Sequence, residues 1–298
     1  MCGIVGLYLK NTSLKSQLGE HFATMLIGMT DRGPDSAGLA VYHDTVDEGQ
    51  VKLTLQCLGK DLDWTEIGSV LETVFQAKVN YNSNYISISV AEDQEGIREW
   101  LAENHPDVKV MSEGQSIEIV KEVGTPESVV NRFNVREMQG SHIIGHTRMA
   151  TESAVTTSGS HPFTTGHDFC LVHNGSLSNH NRLRKHLSQH CGITFETEND
   201  SEVAAGYLTY QLQQGKTLHE ALTSALDDLD GFYTFAIGTK NGFAVLRDPV
   251  ACKPAILAET DDWVAMASEY TSLADLPGIK DAKLWEPEPA TVYTWGDV

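Results

Sequence analysis

The chain begins MCGIVGLYL (residues 1–9), in which a cysteine directly follows the initiator methionine. Because the cysteine side chain is small, we expect removal of Met1, which leaves Cys2 with a thiol and a free α-amino group. An α-amino group has a pKa of about 7.7–8.0 and can serve as the base for a neighbouring nucleophile. The alternating apolar pattern of the same stretch predicts a strand. Cys2 is therefore either a nucleophile at the tip of this strand or an ordinary buried thiol at its start.

Composition and charge exclude several classes of protein. The 298 residues are 41% hydrophobic, which is enough for a sizeable core. Asp and Glu number 41 against 21 Lys and Arg, for a net charge of −20 without a basic cluster, which argues against nucleic-acid binding. No apolar run approaches the ~18–20 residues of a membrane span, and no signal peptide is recognisable. The five scattered cysteines form no CxxC pair or zinc spacing, which favours a reducing, cytoplasmic environment.

Hydrophobic periodicity and turn residues divide the rest of the chain. A helix over 14–29 ends at the breaker TDRGP (30–34), and two strands in 232–248 are joined across Lys240-Asn241-Gly242 as a hairpin. In the block 60–138 short helix and strand patterns alternate, which predicts a small α/β insertion with a structural or docking role. The remaining predicted helices are 64–78, 94–104, 126–134, 179–190, 201–214 and 217–229. The remaining predicted strands include 52–58, 85–91, 108–112, 116–122, 254–259, 263–268 and 290–295.

Four groups of motifs stand between these elements. They are CGIVG (2–6), RGPDSAG (32–38), GHTRMAT (145–151) with HNG (173–175), and ENDSE (198–202). In this order they resemble the motifs of class II, N-terminal-nucleophile glutamine amidotransferases, as in glutamate synthase, glucosamine-phosphate synthase, asparagine synthetase and the purine-pathway amidotransferase. The resemblance covers the chain except 60–138. It implies one type 2 glutamine amidotransferase domain over 1–298 with an α+β fold, a four-layer αββα N-terminal-nucleophile hydrolase sandwich that carries the α/β insertion.

The resemblance also implies a catalytic centre. Cys2 would supply the thiolate, and its own α-amine would act first as base and then as acid. Asn174 and Gly175, which we place at a strand end, would point a side-chain amide and a backbone N–H at the developing oxyanion. One such donor is worth about 2.7–4 kcal/mol. The alternative is an ordinary Asn-Gly turn between strands.

A clamp for a free amino acid needs one fixed cation and one fixed anion. Arg148 is the natural partner of the α-carboxylate, because its planar fork binds carboxylates through two hydrogen bonds. Asp200 is the natural partner of the α-ammonium, and it also suits the N-cap of the following helix. Backbone groups around Met149 and Thr151 would add contacts to the substrate. Arg32, in a rigid loop, would brace the site.

Some positions differ from the commonest family pattern or invite another interpretation. Met149 stands where glucosamine-phosphate synthase and its relatives typically have Trp, so we expect a different pocket wall. His161 in SHPF matches a family position, and we interpret it as packing the loop. His186 and His190 have the i, i+4 spacing of a zinc site but lack the Glu beside the first His, so we predict surface histidines and no metal site.

The resemblance extends to the biological role. The sequence shows no P-loop, GxGxxG or sugar-phosphate motif, and a free glutaminase would release ammonia wastefully. We therefore predict an amidotransferase subunit that hydrolyses L-glutamine and passes ammonia to a partner synthase in a hetero-oligomer. Its length and insertion resemble the stand-alone subunit of N-methylglutamate synthase and glutamate-synthase-like complexes. FMN and an iron–sulfur cluster are implied only for that partner, and no cofactor is expected in this chain.

Three other functions stay open from the sequence. The first is a solitary amidase that acts on a γ-glutamyl or similar amide without ammonia transfer. The second is a non-catalytic subunit that keeps the fold for assembly. The third is an acyl-transferring hydrolase of the wider fold family, although Arg148 and Asp200 fit an amino-acid substrate better. Neither nucleic acid nor a membrane is expected as a partner.

Overall fold

The computed structural model describes residues 2–92, 96–149 and 155–297, so the predictions for Met1 and Thr151 fall outside the described residues. In these ranges the strands are β1 Gly3–Leu9, β2 Ser36–Tyr42, β3 Gln50–Cys57, β4 Lys78–Tyr81, β5 Tyr85–Ala91, β6 Val108–Gly114, β7 Ile117–Val123, β8 His142–Arg148, β9 Cys170–Leu177, β10 Gly231–Thr239, β11 Gly242–Arg247, β12 Ile256–Glu259, β13 Trp263–Ala267, β14 Lys283–Trp285 and β15 Val292–Gly296. The α-helices are α1 Leu18–Ile27, α2 Thr65–Val74, α3 Ile97–Asn104, α4 Pro126–Arg132, α5 His180–His190, α6 Asp200–Gln213 and α7 Leu218–Asp228. None of the helices in the described ranges is long and apolar enough to cross a bilayer.

The strands form three sheets. The largest has seven strands in the order β14-β12-β13-β1-β8-β2-β7. A second has the order β15-β11-β10-β9, and a third has the order β4-β5-β3-β6. β1 therefore lies inside the largest sheet, between two antiparallel neighbours, while β9 lies at an edge of the second.

Apolar side chains give each of the two larger sheets an inner and an outer face. The inner faces meet in one cluster, with Ile4 and Ile144 from the seven-stranded sheet and Val172 and Phe243 from the second sheet. The outer face of the seven-stranded sheet packs on α1 and α4, and that of the second sheet packs on α5, α6 and α7. The layers therefore run helix, sheet, sheet, helix, and the predicted αββα sandwich is confirmed.

The alternation of β1 fixes its register in this sandwich. Ile4 contributes to the cluster between the sheets, whereas Val5 and Leu7 contribute to the cluster under α1. Because side chains alternate along a strand, a shift by one residue would exchange the two faces. The backbone of Ile4 is further held by Ser268, whose Oγ accepts from the Ile4 N–H at 2.9 Å. β1 therefore fixes the position of Cys2, which directly precedes the strand, at one end of the seven-stranded sheet.

The first helix is shorter than the predicted 14–29. The Asn11 side chain accepts a hydrogen bond from the Ser13 N–H at 3.0 Å and caps a 3-10 turn over Thr12–Gln17. Regular α-helix begins only at Leu18, and α1 buries Phe22 and Met25 against the sheet. The apolar spacing identified the buried face correctly, but the first part of the predicted helix forms a 3-10 turn that starts at the Asn11 cap.

The third sheet is built mainly from the predicted insertion. The predicted helices 94–104 and 126–134 correspond to α3 and α4, and the predicted strand 85–91 is β5. The sheet also takes in β3, which begins before residue 60, while β7 pairs with β2 in the seven-stranded sheet. The sheet boundaries thus do not coincide with 60 and 138, and the division of the chain at those residues stays a prediction.

Two short strands were not predicted. β4 lies just beyond the end of α2, at the end of the predicted helix 64–78, and β14 falls in a stretch without an assigned element. Both lie at sheet edges and expose most of their side chains, so they lack the alternation that marks a half-buried strand. The predicted hairpin is confirmed, because Thr239 pairs with Gly242 across a two-residue turn.

Candidate active site

The main-chain carbonyl of Cys2 is the point at which three predicted motifs meet. It accepts a hydrogen bond from Arg32 Nε at 3.1 Å and another from Asn174 Nδ2 at 3.2 Å. Cys2 itself is partly exposed, and its thiol is free. Two donors, one from the turn before β2 and one from β9, thus fix the peptide group next to the sulfur, and the Cys2 residue stays partly exposed.

Arg32 is held under the first strand by the glycine that follows it. A Cβ at Gly33 would lie 2.4 Å from the carbonyl carbon of Thr147, so the RGPD turn can approach the end of β8 only with glycine there. Arg32 is only 8% exposed, and its Nη1 donates to Glu269 Oε1 at 2.6 Å. Glu269 was not predicted from the sequence, because it follows β13 without a recognisable motif. The buried guanidinium therefore bridges an acidic side chain and the Cys2 carbonyl.

Asn174 and Gly175 lie within β9 rather than at its end. They pair with Thr234 and Tyr233 of β10, so the predicted strand end and the alternative Asn-Gly turn are both wrong. Because β9 is an edge strand, one side of it faces away from the sheet. A Cβ at Gly175 would lie 2.0 Å from the Phe232 carbonyl oxygen, so this close approach of the strands requires glycine.

Arg148 and Met149 follow each other at the end of β8. Arg148 is the last residue of the strand and pairs with Ser36 at the start of β2, directly after the RGPD turn. Its Nη1 donates to the Gly159 carbonyl at 3.1 Å. The predicted carboxylate partner therefore emerges at the same end of the sheet as Cys2, since Gly3 pairs with Thr147.

Asp200 is the first residue of α6, and the predicted N-cap at this position is wrong by one residue. The cap is Asn199, whose side chain accepts from the Ser201 N–H at 2.9 Å. Asp200 Oδ2 instead accepts from the Leu177 N–H of β9 at 2.9 Å. Asn199 Nδ2 donates to the Gly159 carbonyl at 3.3 Å. One carbonyl, that of Gly159, therefore joins Arg148 to the residue preceding Asp200.

Three buried histidines lie beside these residues. His173 Nδ1 lies 2.8 Å from Ser201 Oγ, and burial lowers its pKa to about 4 despite the opposing effect of Asp200. His146 and His161 stack at 3.9 Å between ring centroids, and burial lowers the pKa of His146 to about 3. All three are neutral at pH 7, and the interpretation of His161 as a packing residue is confirmed by its contacts with His146 and Phe163.

The predicted roles of individual residues can be compared with their positions. The described structure brings Cys2, Arg32 and Asn174 into direct contact, and it links Arg148 and the start of α6 through Gly159. His186 and His190 contact each other on α5. In residues 2–92, 96–149 and 155–297, no group of three or more His, Cys, Asp or Glu side chains converges as a metal site.

Comparison with known proteins connects this arrangement to one family. A family model described as "Glutamine amidotransferase domain" matches residues 146–275. The protein of Rhizobium meliloti (strain 1021) named glutamine amidotransferase-like protein GlxB is 58% identical over 297 residues, which cover 99% of this chain and 98% of that protein. A Methanothermobacter thermautotrophicus protein that also carries a glutamine amidotransferase name is 32% identical over 308 residues, with 98% and 99% covered.

Solved structures agree on the fold. Glutamine phosphoribosylpyrophosphate amidotransferase from B. subtilis, complexed with ADP and GMP, superposes with a TM-score of 0.63 at 20% identity. The match covers 99% of this chain and 47% of that one, so this chain spans about half of the larger protein. At this identity the likeness concerns the fold alone.

Proposed function

The chain belongs to the class II glutamine amidotransferase family, and from this premise we propose that it hydrolyses L-glutamine to glutamate and ammonia through a thioester on Cys2. The observation that supports this most directly is the double hydrogen bond to the Cys2 carbonyl from Arg32 and Asn174. It fixes the backbone of the nucleophile beside the side chain that we propose as oxyanion donor. Fixed geometry of this kind lowers the barrier to attack.

The proposed reaction has two half-steps. In the first, the α-amine of Cys2 accepts the thiol proton, Sγ attacks the side-chain amide carbon of glutamine, and the C–N bond breaks. The amine returns the proton to the departing nitrogen, which leaves as ammonia. In the second, the amine activates a water that hydrolyses the thioester to glutamate and restores the thiol.

Asn174 and Gly175 would stabilise the oxyanion in both half-steps. The Asn174 carboxamide has two N–H groups, and the contact with the Cys2 carbonyl uses one of them. The second N–H can therefore serve the oxyanion together with the Gly175 backbone N–H. Arg148 and Asp200 would hold the α-carboxylate and the α-ammonium, and backbone groups around Met149 would add contacts to the substrate.

We further propose that the ammonia passes to a synthase subunit of glutamate synthase or N-methylglutamate synthase type in the cytoplasm. FMN and iron–sulfur chemistry would then belong to that partner. The proposal is supported by the sequence, which contains no motif for an ammonia acceptor, and by five free cysteines, as expected in a reducing environment. The wider biological role therefore depends on a second polypeptide.

Labelling of the N-terminus tests the glutaminase proposal. We expect 6-diazo-5-oxo-norleucine to modify Cys2, intact-mass analysis to show loss of Met1, and Cys2→Ala to lose at least about 10⁴-fold in glutamine hydrolysis. If the Cys2 thiol stays unlabelled in the folded protein, the proposed glutaminase activity is refuted. Retention of Met1 in active protein would exclude the α-amine as base, because an acylated nitrogen has no free lone pair for the proton.

Co-purification tests the partner. We expect a synthase subunit to be recovered with this chain, and the complex with Cys2→Ala to use ammonia but not glutamine as nitrogen donor. High glutaminase activity without any partner would instead indicate a solitary amidase. Unchanged use of glutamine by the Cys2→Ala complex would indicate a non-catalytic assembly subunit.

A further inference from the structure

Lys121 of β7 is a buried cation without a role in the reaction proposed above. Its side chain is 7% exposed, and its Nζ donates to three carbonyl oxygens: Ser158 at 3.2 Å, Ser160 at 2.8 Å and Pro162 at 3.2 Å. An ammonium group has three N–H donors, so these carbonyls satisfy all of them. Lys121 therefore gathers one loop, residues 156–162, around a single charge.

This arrangement is costly for stability alone. Burial lowers the pKa of Lys121 to about 8, against smaller opposing effects of Glu202 and Glu196. A buried cation whose hydrogen bonds all go to carbonyl oxygens, with an aromatic ring 4.8 Å away as its other neighbour, keeps much of its desolvation penalty. An apolar side chain of similar length would avoid that penalty but could not bind three converging carbonyls. The lysine is thus better suited to fixing the loop than to stabilising the fold.

Gly159, which lies between two of the residues bound by Lys121, connects this loop to Arg148 and Asp200, the proposed clamp for the amino-acid head group. Gly159 lies between Ser158 and Ser160, and its own carbonyl accepts from Arg148 at 3.1 Å and from Asn199 at 3.3 Å. Asn199 caps α6, whose first residue is Asp200. A displacement of the Gly159 carbonyl would therefore shift both proposed partners of the substrate head group.

Other contacts also hold the same loop, and one of them reaches Gly159, whose N–H donates to Thr156 Oγ1 at 3.1 Å. Ser160 Oγ donates to Ser36 Oγ at 2.9 Å, and the Thr157 hydroxyl donates to Glu122. A Cβ at Gly38 would lie 2.3 Å from the His161 carbonyl oxygen, which shows how closely the loop lies on β2. These contacts hold the loop against the sheet, while Lys121 sets the direction of the carbonyls on either side of Gly159.

We propose that Lys121 is a positioning residue for substrate binding, which acts through the 156–162 loop to set the distance between Arg148 and Asp200. The inference rests on the proposed glutaminase function. It assigns a substrate-binding task to a side chain within 60–138, the part of the chain outside the family resemblance. Lys121 does not touch the reacting atoms.

Steady-state kinetics of Lys121→Met tests the inference. We expect KM for glutamine to rise about 10- to 100-fold with a much smaller change in kcat, because the head group loses its alignment while Cys2 does not. Iodoacetamide has no amino-acid head group, so its rate of reaction at Cys2, followed by peptide mass spectrometry, should stay unchanged. Labelling by 6-diazo-5-oxo-norleucine should slow in proportion to the rise in KM.

Lys52→Met is the matched control, because Lys52 is also 7% exposed but contacts Ser116 and Glu118 in another part of the protein. It should lower the melting temperature without changing KM. If Lys121→Met does not fold, Lys121→Arg takes its place, since it keeps the charge but is too long for the three carbonyls. Unchanged KM in the folded variant, or an equal loss of both labelling rates, would overturn the inference. Absence of glutaminase activity in the wild type would instead refute the proposed function.

Discussion

The surroundings of Cys2 and the cluster around Glu118 differ in what their buried cations mainly contact. The Glu118 carboxylate accepts hydrogen bonds from Lys52 Nζ at 3.3 Å and from the Tyr85 hydroxyl at 3.1 Å, and it lies 3.4 Å from His43 Nε2. These side chains line a cavity of about 730 Å³. Around the candidate active site, Lys121 donates to three main-chain carbonyls, and Arg32 donates to the Cys2 carbonyl as well as to Glu269.

The difference separates a cation that neutralises a side chain from one that positions the backbone. A matched ion pair stabilises its own partners and leaves the surrounding main chain to its strand pairing. A hydrogen bond from a cation to a carbonyl oxygen holds that peptide group in one position. Catalytic or binding side chains next to that peptide group change position if the hydrogen bond is lost. We therefore expect substitutions at Cys2 and its neighbours to change kinetics and substitutions in the Glu118 cluster to change stability.

The largest expected effect follows from removing the amide beside Cys2. Asn174→Ala should lower kcat about 10²–10³-fold, or about 2.7–4 kcal/mol, because an oxyanion donor acts mainly in the transition state. Glutaminase kinetics measure this directly. Asn179→Ala is the control, since that side chain bonds the Asp228 carbonyl at the exposed start of α5. A kcat close to wild type for Asn174→Ala would refute the role of Asn174.

Glu118→Gln should act on stability instead. Burial by itself would raise the pKa of Glu118, but His43 and Lys52 lower it from 4.5 to about 2. The folded pKa is thus below the ordinary value, so the stabilisation is present above about pH 4.5 and is lost as the pH falls toward 2. Its size is on the order of 3 kcal/mol. Urea unfolding from pH 6 to pH 3 should show this loss in the wild type and not in Glu118→Gln.

Glu137→Gln provides the matched control, because Glu137 lines the same cavity but is exposed. Its unfolding free energy should stay within about 0.5 kcal/mol of the wild type at every pH. A Glu118→Gln variant that unfolds like the wild type but loses glutaminase activity would contradict the division between the two regions.

The smallest effect is expected at Glu269, which combines features of both regions. It pairs with buried Arg32, but its own side chain is 44% exposed, so water screens the ion pair. Glu269→Gln should lower kcat/KM by no more than about fivefold, or about 1 kcal/mol. Glu269→Asp should recover part of the loss if the effect passes through Arg32. A hundredfold loss would show that Glu269 has a more direct role.

Elements with strong local patterns could be predicted from the sequence. The helices α5, α6 and α7 lie within a few residues of the predicted ranges, and α7 buries a regular apolar stripe. The Lys240-Asn241 turn was recognisable from its residues. The short edge strands β4 and β14 were missed because their side chains are largely exposed. The assignment of β3 and β7 to different sheets depends on long-range pairing, which no local pattern encodes.

The candidate site divides in the same way. Cys2, Arg32, Arg148 and Asn174 lie in short motifs with a chemical meaning, so the sequence identified them together. Lys121 and the ion-pair partner of Arg32 are single charged residues without a motif. Their importance depends on which carbonyl or side chain the fold places beside them, and these partners lie 37 to 237 residues away.

By itself the sequence determined that a cysteine follows Met1 and that short motifs containing Arg32, Arg148, Asn174 and Asp200 follow in a recognisable order. The sandwich was implied by the resemblance of these motifs to a known family, because local patterns of apolar residues do not specify how sheets and helices stack. Only the tertiary structure decided that the Cys2 carbonyl is held by Arg32 from the turn before β2 and by Asn174 from β9, and that the Gly159 carbonyl joins both sides of the clamp. Hydrogen bonds require atoms within about 3 Å, and for residues far apart in sequence that distance is set by the packing of the layers.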